Sequence, residues 1–325
     1  MKIELIRSSA GYTVAVRVCT PYTDIKEQEF IDLVKEFGTV VWKKDKSTTE
    51  DYVNFQMRIG YHQAAEMWCN HEKYPQIYRV TNLKIKEEHE GEGMFSHGEL
   101  DWHCNILFTP DSEEAVALRG VVIPHGSQTI IANSIPYWNN LSNTERETFE
   151  NIYLSITNKN DETYEKKSVH YMLPTAEQKD VDKRRASRSI QKSMNYDQDP
   201  NLFPEPRFQK QNILKMVPKH PLGIKGIYWP HLNLKTLCDK DGNQLSNHKE
   251  LYNNIIKEYI NDNKYHYYHE WEPGDICFMD QLSGVHRRNN VWKEQGLDPK
   301  TAHRELQRTS FWYKLPYRTH TDRSI

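Results

Sequence analysis

The chain has 325 residues, 37% of them hydrophobic and 27% charged, with 43 Lys+Arg against 45 Asp+Glu. That length suits one large domain or two small ones, and a formal net charge of −2 gives no electrostatic reason to expect nucleic acid or an anionic membrane as a partner. Five cysteines, at 19, 69, 104, 238 and 277, have no CxxC spacing, which points away from a cysteine-zinc cluster or a disulfide framework and towards free thiols in a reducing compartment.

IELIRSSAGYTVAVRV alternates around a glycine and predicts a β-hairpin. The opening MKIELIRSSAGYTVAVRV has no long apolar h-region, and no later run reaches the roughly 18 apolar residues of a membrane span. A cytoplasmic protein is therefore expected. DIKEQEFIDLVKEFG predicts an amphipathic helix with Ile31, Leu33, Val34 and Phe37 on its apolar face and Gly38 as its stop, and TVVW predicts a buried strand after it. Residues 46–76 are expected to be helical again and IYRVTNLKI a strand. EEHEGEGMFSHGE reads as a loop entering LDWHCNILF. AVALRGVVIP and SQTIIANS are strand-like around a Pro-His-Gly turn, and PYWNNLSNTERETFENI predicts a helix with N-cap chemistry near Ser142.

Residues 158–212 are mostly polar and weakly patterned, which suggests a lid or partly mobile insert, with the run KRRASR as a solvated face. ILKMVPKHPLGIKGIYWP predicts strand, turn, strand, flanked by His220 and His231; KELYNNIIKEYIND predicts an amphipathic helix. Pro273-Gly274-Asp275 launches a buried strand, ICFMD, and RELQRTSFWYKLP forms the closing strand before a loose tail at 316–325. There is no internal repeat. The pattern implies one domain over 1–325, a mixed β fold with α around a curved sheet.

Two histidines stand beside buried strands far apart in sequence. His103 lies within LDWHCNILF, and His286 follows Gly284 at a bend after ICFMD. Singly, each is more often structural. As a pair they suit a metal, because imidazole binds iron, zinc and copper, and two histidines with one carboxylate leave three octahedral positions open on non-heme iron. His266 and His269 in YHYYHEW alternate as strand residues do and are expected to be structural; Cys104 is expected to be a small buried apolar group. No Ser-His-Asp triad or phosphate-binding glycine loop is present.

In order and spacing, several segments together resemble the taurine dioxygenase and clavaminate synthase-like superfamily of iron(II)/2-oxoglutarate oxygenases. These are Trp102-His103-Cys104-Asn105, SQTIIANSIPYWNNL with Thr129, Trp271 with Pro273-Gly274-Asp275, Asp280, His286, and Arg304 and Arg308 in RELQR. The likeness covers roughly 95–145 and 265–313. The two arginines fall 18 and 22 residues after His286, farther than the family's usual interval, which implies a small insertion around VWKEQGLDP. The resemblance implies a double-stranded β-helix (jelly-roll, cupin-like) core with flanking helices. It also implies Fe(II), 2-oxoglutarate as cosubstrate and O2, with oxidation of a C–H bond, typically hydroxylation, of a small polar metabolite. His103 and His286 would hold the metal. Arg304 and Thr129 would hold the far carboxylate of 2-oxoglutarate, and Arg308, nearer the metal, its C1 carboxylate or an anionic substrate group. His97, Glu99, Asp101, Trp229 and His231 would lie on the substrate side.

The departure is Asn105, where the family has an Asp or Glu ligand. A carboxamide is neutral and binds a metal only weakly through its oxygen. Four alternatives stay open: a nonstandard triad that includes Asn105; a nearby acid, Glu99 or Asp101, in its place; a halogenase, against which the size of Asn counts; or a noncatalytic ligand-binding relative that has lost iron. If the strand runs unbroken, Glu99, Asp101, His103 and Asn105 share one face. Substrate identity and oligomeric state are not legible.

Overall fold

A computed structural model describes residues 1–62, 69–83, 98–105, 114–157, 211–231 and 234–314. The expected hairpin forms as β1 (Ile3–Arg7) and β2 (Thr13–Val18). Helix α1 (Glu27–Phe37) buries Phe30, Ile31, Leu33, Val34 and Phe37, and ends at Gly38, whose φ of +66° favours glycine. Strand β3 (Thr39–Trp42) follows, then α2 (Thr49–Ile59), whose Thr48 cap and Asp51 bond one another's backbone N–H groups. The helix expected to continue to 76 stops at Ile59. Gly60 opens β4 (Gly60–His62) because the backbone must pass directly beneath Phe311; a Cβ at Gly60 would lie 2.1 Å from that ring.

Next come β5 (Tyr78–Thr81), β6 (Leu100–His103), β7 (Ala115–Val122) and β8 (Gln128–Asn133). The single helix expected after β8 is two, α3 (Ser134–Asn140) and α4 (Asn143–Glu150). Ser142 caps the second with its side chain, and a cap residue must leave helical geometry, so the capping signal marks a break. Beyond β9 (Tyr153–Thr157), residues 158–210 of the expected insert lie outside the described residues, and Gln211 opens β10 (Gln211–Lys215). Of the strand, turn and strand expected over 213–230, the first strand forms only as residues 213–215 at the end of β10, and the second does not form. Residues 216–230 carry no strand and are held by Tyr228 N–H to Met216 O at 2.9 Å and Ile227 N–H to Ser134 Oγ at 2.8 Å. β11 (Leu234–Cys238), a helix at His248–Ile255, β12 (His266–Glu270), β13 (Ile276–Asp280) and β14 (Gly284–Arg288) follow. A short helix, Val291–Gln295, fills the inferred insertion before β15 (Glu305–Tyr313).

The larger sheet runs β1-β2-β3-β13-β7-β15-β4, with β5 also on β15; the smaller runs β12-β8-β14-β6, and β10-β9-β11 form a third. The two main sheets face each other as the double-stranded β-helix core, with helices outside. Side-chain alternation shows the layering. Ile276 and Phe278 of β13 pack with the helices, while Cys277 and Met279 pack between the sheets; Ala115 and Ala117 of β7 divide from Val116 and Leu118 in the same way. Both faces are covered, so these strands read as continuous apolar runs.

Gly274, which launches β13, has φ of +86°, and a Cβ there would sit 2.7 Å from the Asp45 carbonyl. Gly274→Ala should cost about 1–2 kcal/mol from backbone conformation alone, with the contact adding to it. An unchanged Tm in thermal unfolding would contradict this.

Candidate active site

Strand β6 pairs with β14 so that His103 faces His286 and Leu100 faces Arg288. Three steps on β6 thus match two on β14, which is a β-bulge. The bulge re-aims the strand: Leu100 and His103 both line the space between the sheets. Trp102 instead packs into the core behind the smaller sheet, its ring 5.0 Å from that of His266 and covered by the Arg287 guanidinium at 5.1 Å. The shared face expected for Glu99, Asp101, His103 and Asn105 is therefore broken, since β6 begins after Glu99, bulges at Asp101 and ends at His103.

The two imidazoles lie with ring centroids 4.2 Å apart. His103 Nδ1 stands 2.7 Å from the Asp101 carbonyl oxygen, which can only accept, so the proton is on Nδ1 and the Nε2 lone pair is left available. Burial drives the His103 pKa well down, and His286 adds to this; burial, then Arg308, holds His286 at about 3. Both rings are neutral near pH 7, the form that ligates a metal. Asn105 is buried, and its backbone N–H donates to Gln281 Oε1 at the turn after β13.

His103, Asn105 and His286 line one cavity of about 40 Å³ together with Thr129, Arg288, Arg304 and Arg308. Val80, Leu100, Leu118 and Leu306 supply its apolar wall. Thr129 Oγ1 accepts from Trp271 Nε1 at 2.9 Å, which leaves its own hydroxyl proton to donate. Arg304 is 2% exposed; its Nε donates to Ser127 Oγ at 3.0 Å and its backbone N–H to Asn82 Oδ1. Burial, then the charge of Arg288, pushes its pKa well down. Arg308 pairs in register with Leu118 and Tyr78, its guanidinium 5.7 Å from the Tyr78 ring.

Among the described residues no group of three or more His, Cys, Asp or Glu side chains converges on a metal position. Asp101 is half-buried, accepts from the Trp102 N–H at 2.7 Å, and does not line the cavity; nor does Glu99. His97 lies outside the described residues. Trp229 is fully buried in the core behind the smaller sheet, beside Tyr252 at 5.7 Å, and does not line the cavity. His231 is half-buried, with burial lowering its pKa against an opposing pull from Asp101. His286 sits inside β14, with the bend at 281–283 before it rather than around it. Sequence motifs did not single out Arg288. The signal was there, since it follows His286 by two on a strand and shares its face.

The profile of the Taurine catabolism dioxygenase TauD, TfdA family matches residues 9–310. Pentalenolactone F synthase from Streptomyces arenae is 21% identical over 263 residues, 80% of this chain and 76% of that protein. A taurine dioxygenase from Burkholderia xenovorans matches with a TM-score of 0.61 at 15% identity, over 97% of this chain and 90% of that one. AAD-2, solved in complex with Mn(II) and N-oxalylglycine, also matches with a TM-score of 0.61 at 15% identity, over 97% of this chain and 99% of the other. At these identities the structures speak for the fold. The family profile runs across nearly the whole length, and the chain belongs to the TauD, TfdA dioxygenase family.

Proposed function

We propose that the protein is an Fe(II)/2-oxoglutarate-dependent oxygenase that oxidises a C–H bond of a small polar metabolite, with Asn105 where a carboxylate ligand is expected. The observation that carries this is one cavity lined by a neutral histidine pair on the smaller sheet and by the buried Arg304 guanidinium just ahead of β15 on the larger one. Among the described residues Arg304 has no carboxylate partner, and a buried guanidinium without a counter-ion is a receptor for an anion. Mn(II) and N-oxalylglycine in AAD-2 support the same assignment.

His103 and His286 would hold the metal through ring nitrogens, and the Asp101 carbonyl would orient the first. Bound iron supplies the redox chemistry by which O2 converts 2-oxoglutarate to succinate and CO2 while the substrate is oxidised. Arg304 and the Thr129 hydroxyl would fix the distal carboxylate, because a planar fork meets a carboxylate with parallel, charge-assisted bonds. Arg308 would hold the C1 carboxylate or an anionic substrate group. The apolar wall excludes water.

Among the described residues no anionic side chain joins the histidine pair as a third ligand, which favours one competing reading, a noncatalytic relative that binds ligand without iron. Anaerobic titration with ferrous iron and 2-oxoglutarate, followed by the charge-transfer band of the chelate, separates the two. The oxygenase predicts a band in the wild type and about tenfold or more tighter metal binding in Asn105→Asp, since an anionic oxygen replaces a neutral one. A band in Asn105→Asp alone would overturn it in favour of the noncatalytic protein.

A further inference from the structure

Arg288 is 5% exposed, faces the cavity with His286, and pairs in register with Thr129 on one side and Leu100 on the other. The Arg288–Thr129 level lies two residues, or about 7 Å, along β14 from the His286 level. Its charge acts on Arg304, which lines the same cavity. Its Nη2 donates to the Gly98 carbonyl at 2.7 Å, just ahead of the strand that carries His103.

We propose that Arg288 is a second guanidinium for the distal carboxylate of 2-oxoglutarate and ties that carboxylate to the backbone leading into β6. This rests on the oxygenase function proposed above. Thr129, already assigned to the distal carboxylate, is the register partner of Arg288, and Arg304 is its electrostatic neighbour. Arg288 and Arg304 line one cavity, and a carboxylate bound there is attracted by both guanidiniums. Arginine suits the task because its five donors form a rigid fork: one Nη holds Gly98, and the same side chain lines the cavity. Lysine would keep the charge without holding both partners. Cosubstrate binding then firms the chain immediately before His103, so Arg288 acts as a binding residue and as a positioning residue for the metal ligand.

The test is calorimetric titration of the full chain loaded with Mn(II), using 2-oxoglutarate and, separately, 2-oxobutyrate, which has the same keto-acid end and no distal carboxylate. Arg288→Gln is expected to weaken 2-oxoglutarate binding by about tenfold or more and to change 2-oxobutyrate binding by less than about twofold. Arg288→Lys, checked for a wild-type Tm, is expected to fall between wild type and Arg288→Gln for 2-oxoglutarate. Equal losses for both acids would show a purely structural hold on Gly98 and overturn the proposal. So would an unchanged 2-oxoglutarate affinity beside a sensitive Arg304→Gln, with the oxygenase assignment left standing. A wild-type protein that binds neither acid would remove both.

Discussion

Arg304→Gln is expected to weaken 2-oxoglutarate binding by about 3–5 kcal/mol, the typical cost of removing one partner of a buried charged pair, or roughly a hundredfold to a few thousandfold in Kd. The ligand-free protein should hardly suffer. Burial and the neighbouring Arg288 charge already work against a protonated Arg304, so neutralising it removes a repulsion. Against that gain stands the bond to Ser127 Oγ, about 1 kcal/mol. Titration of the Mn(II)-loaded variant alongside a thermal melt checks both statements. Less than a tenfold loss in affinity would mean that the cavity's anion sits elsewhere.

The second large effect concerns stability. Asp280, at the end of β13, accepts from the backbone N–H groups of Leu282 and Ser283, from Ser283 Oγ at 2.6 Å, from His220 Nε2 at 2.9 Å and from Tyr313 Oη at 2.7 Å. It joins β13 to the end of β15 and to the strandless stretch at 216–230. Asp280→Ala strands those donors in a dry site and should cost about 3–5 kcal/mol in denaturant unfolding at pH 7. Burial alone would raise the Asp280 pKa, but His220, Ser283 and Tyr313 outweigh it and hold it below the usual carboxylate value. Asp275 is also held low, by His269, Lys43 and backbone donors against burial. A depressed folded pKa contributes stability above the unfolded value, near 3.9, and that stability is lost as pH falls through the folded one. The wild type should therefore lose stability steeply below about pH 4, and Asp280→Ala should show a shallower slope there. A parallel slope, or a loss under about 1 kcal/mol at pH 7, would refute this role.

Much of the fold was legible because its signals are local. The hairpin, α1 with its glycine stop, β13 after its Pro-Gly turn and β15 with Arg308 on it and Arg304 just before it all follow from patterns within a dozen residues. The histidine pair was legible from its place beside two buried strands, Thr129 and the arginines came from family likeness, and the structure brings His103, Asn105, Thr129, His286, Arg304 and Arg308 to one cavity. What escaped depends on distant partners. The bulge at Asp101 exists through its register against β14, so alternation counted along the strand placed Glu99 and Asp101 on the wrong face. The end of α2 is dictated by Phe311, more than 250 residues away. Residues 216–230 carry a hairpin pattern, yet their bonds run to Ser134 and, through His220, to Asp280, so they complete the main core and form no sheet of their own.

Strand β15 has every residue buried, with β7 on one flank and β5 and β4 on the other. Its bonds reach far back along the chain: Tyr52 to Gln307 spans 255 positions and Arg79 to Glu305 spans 226. During synthesis the earlier strands must wait for this one, since the larger sheet stays split between β7 and the β4–β5 side until it arrives. Such non-local closure makes folding slow and leaves two open strand edges in the nascent chain. The strand that brings Arg308 also seals those edges, so the cavity takes shape in the same step that closes them to edge-to-edge pairing.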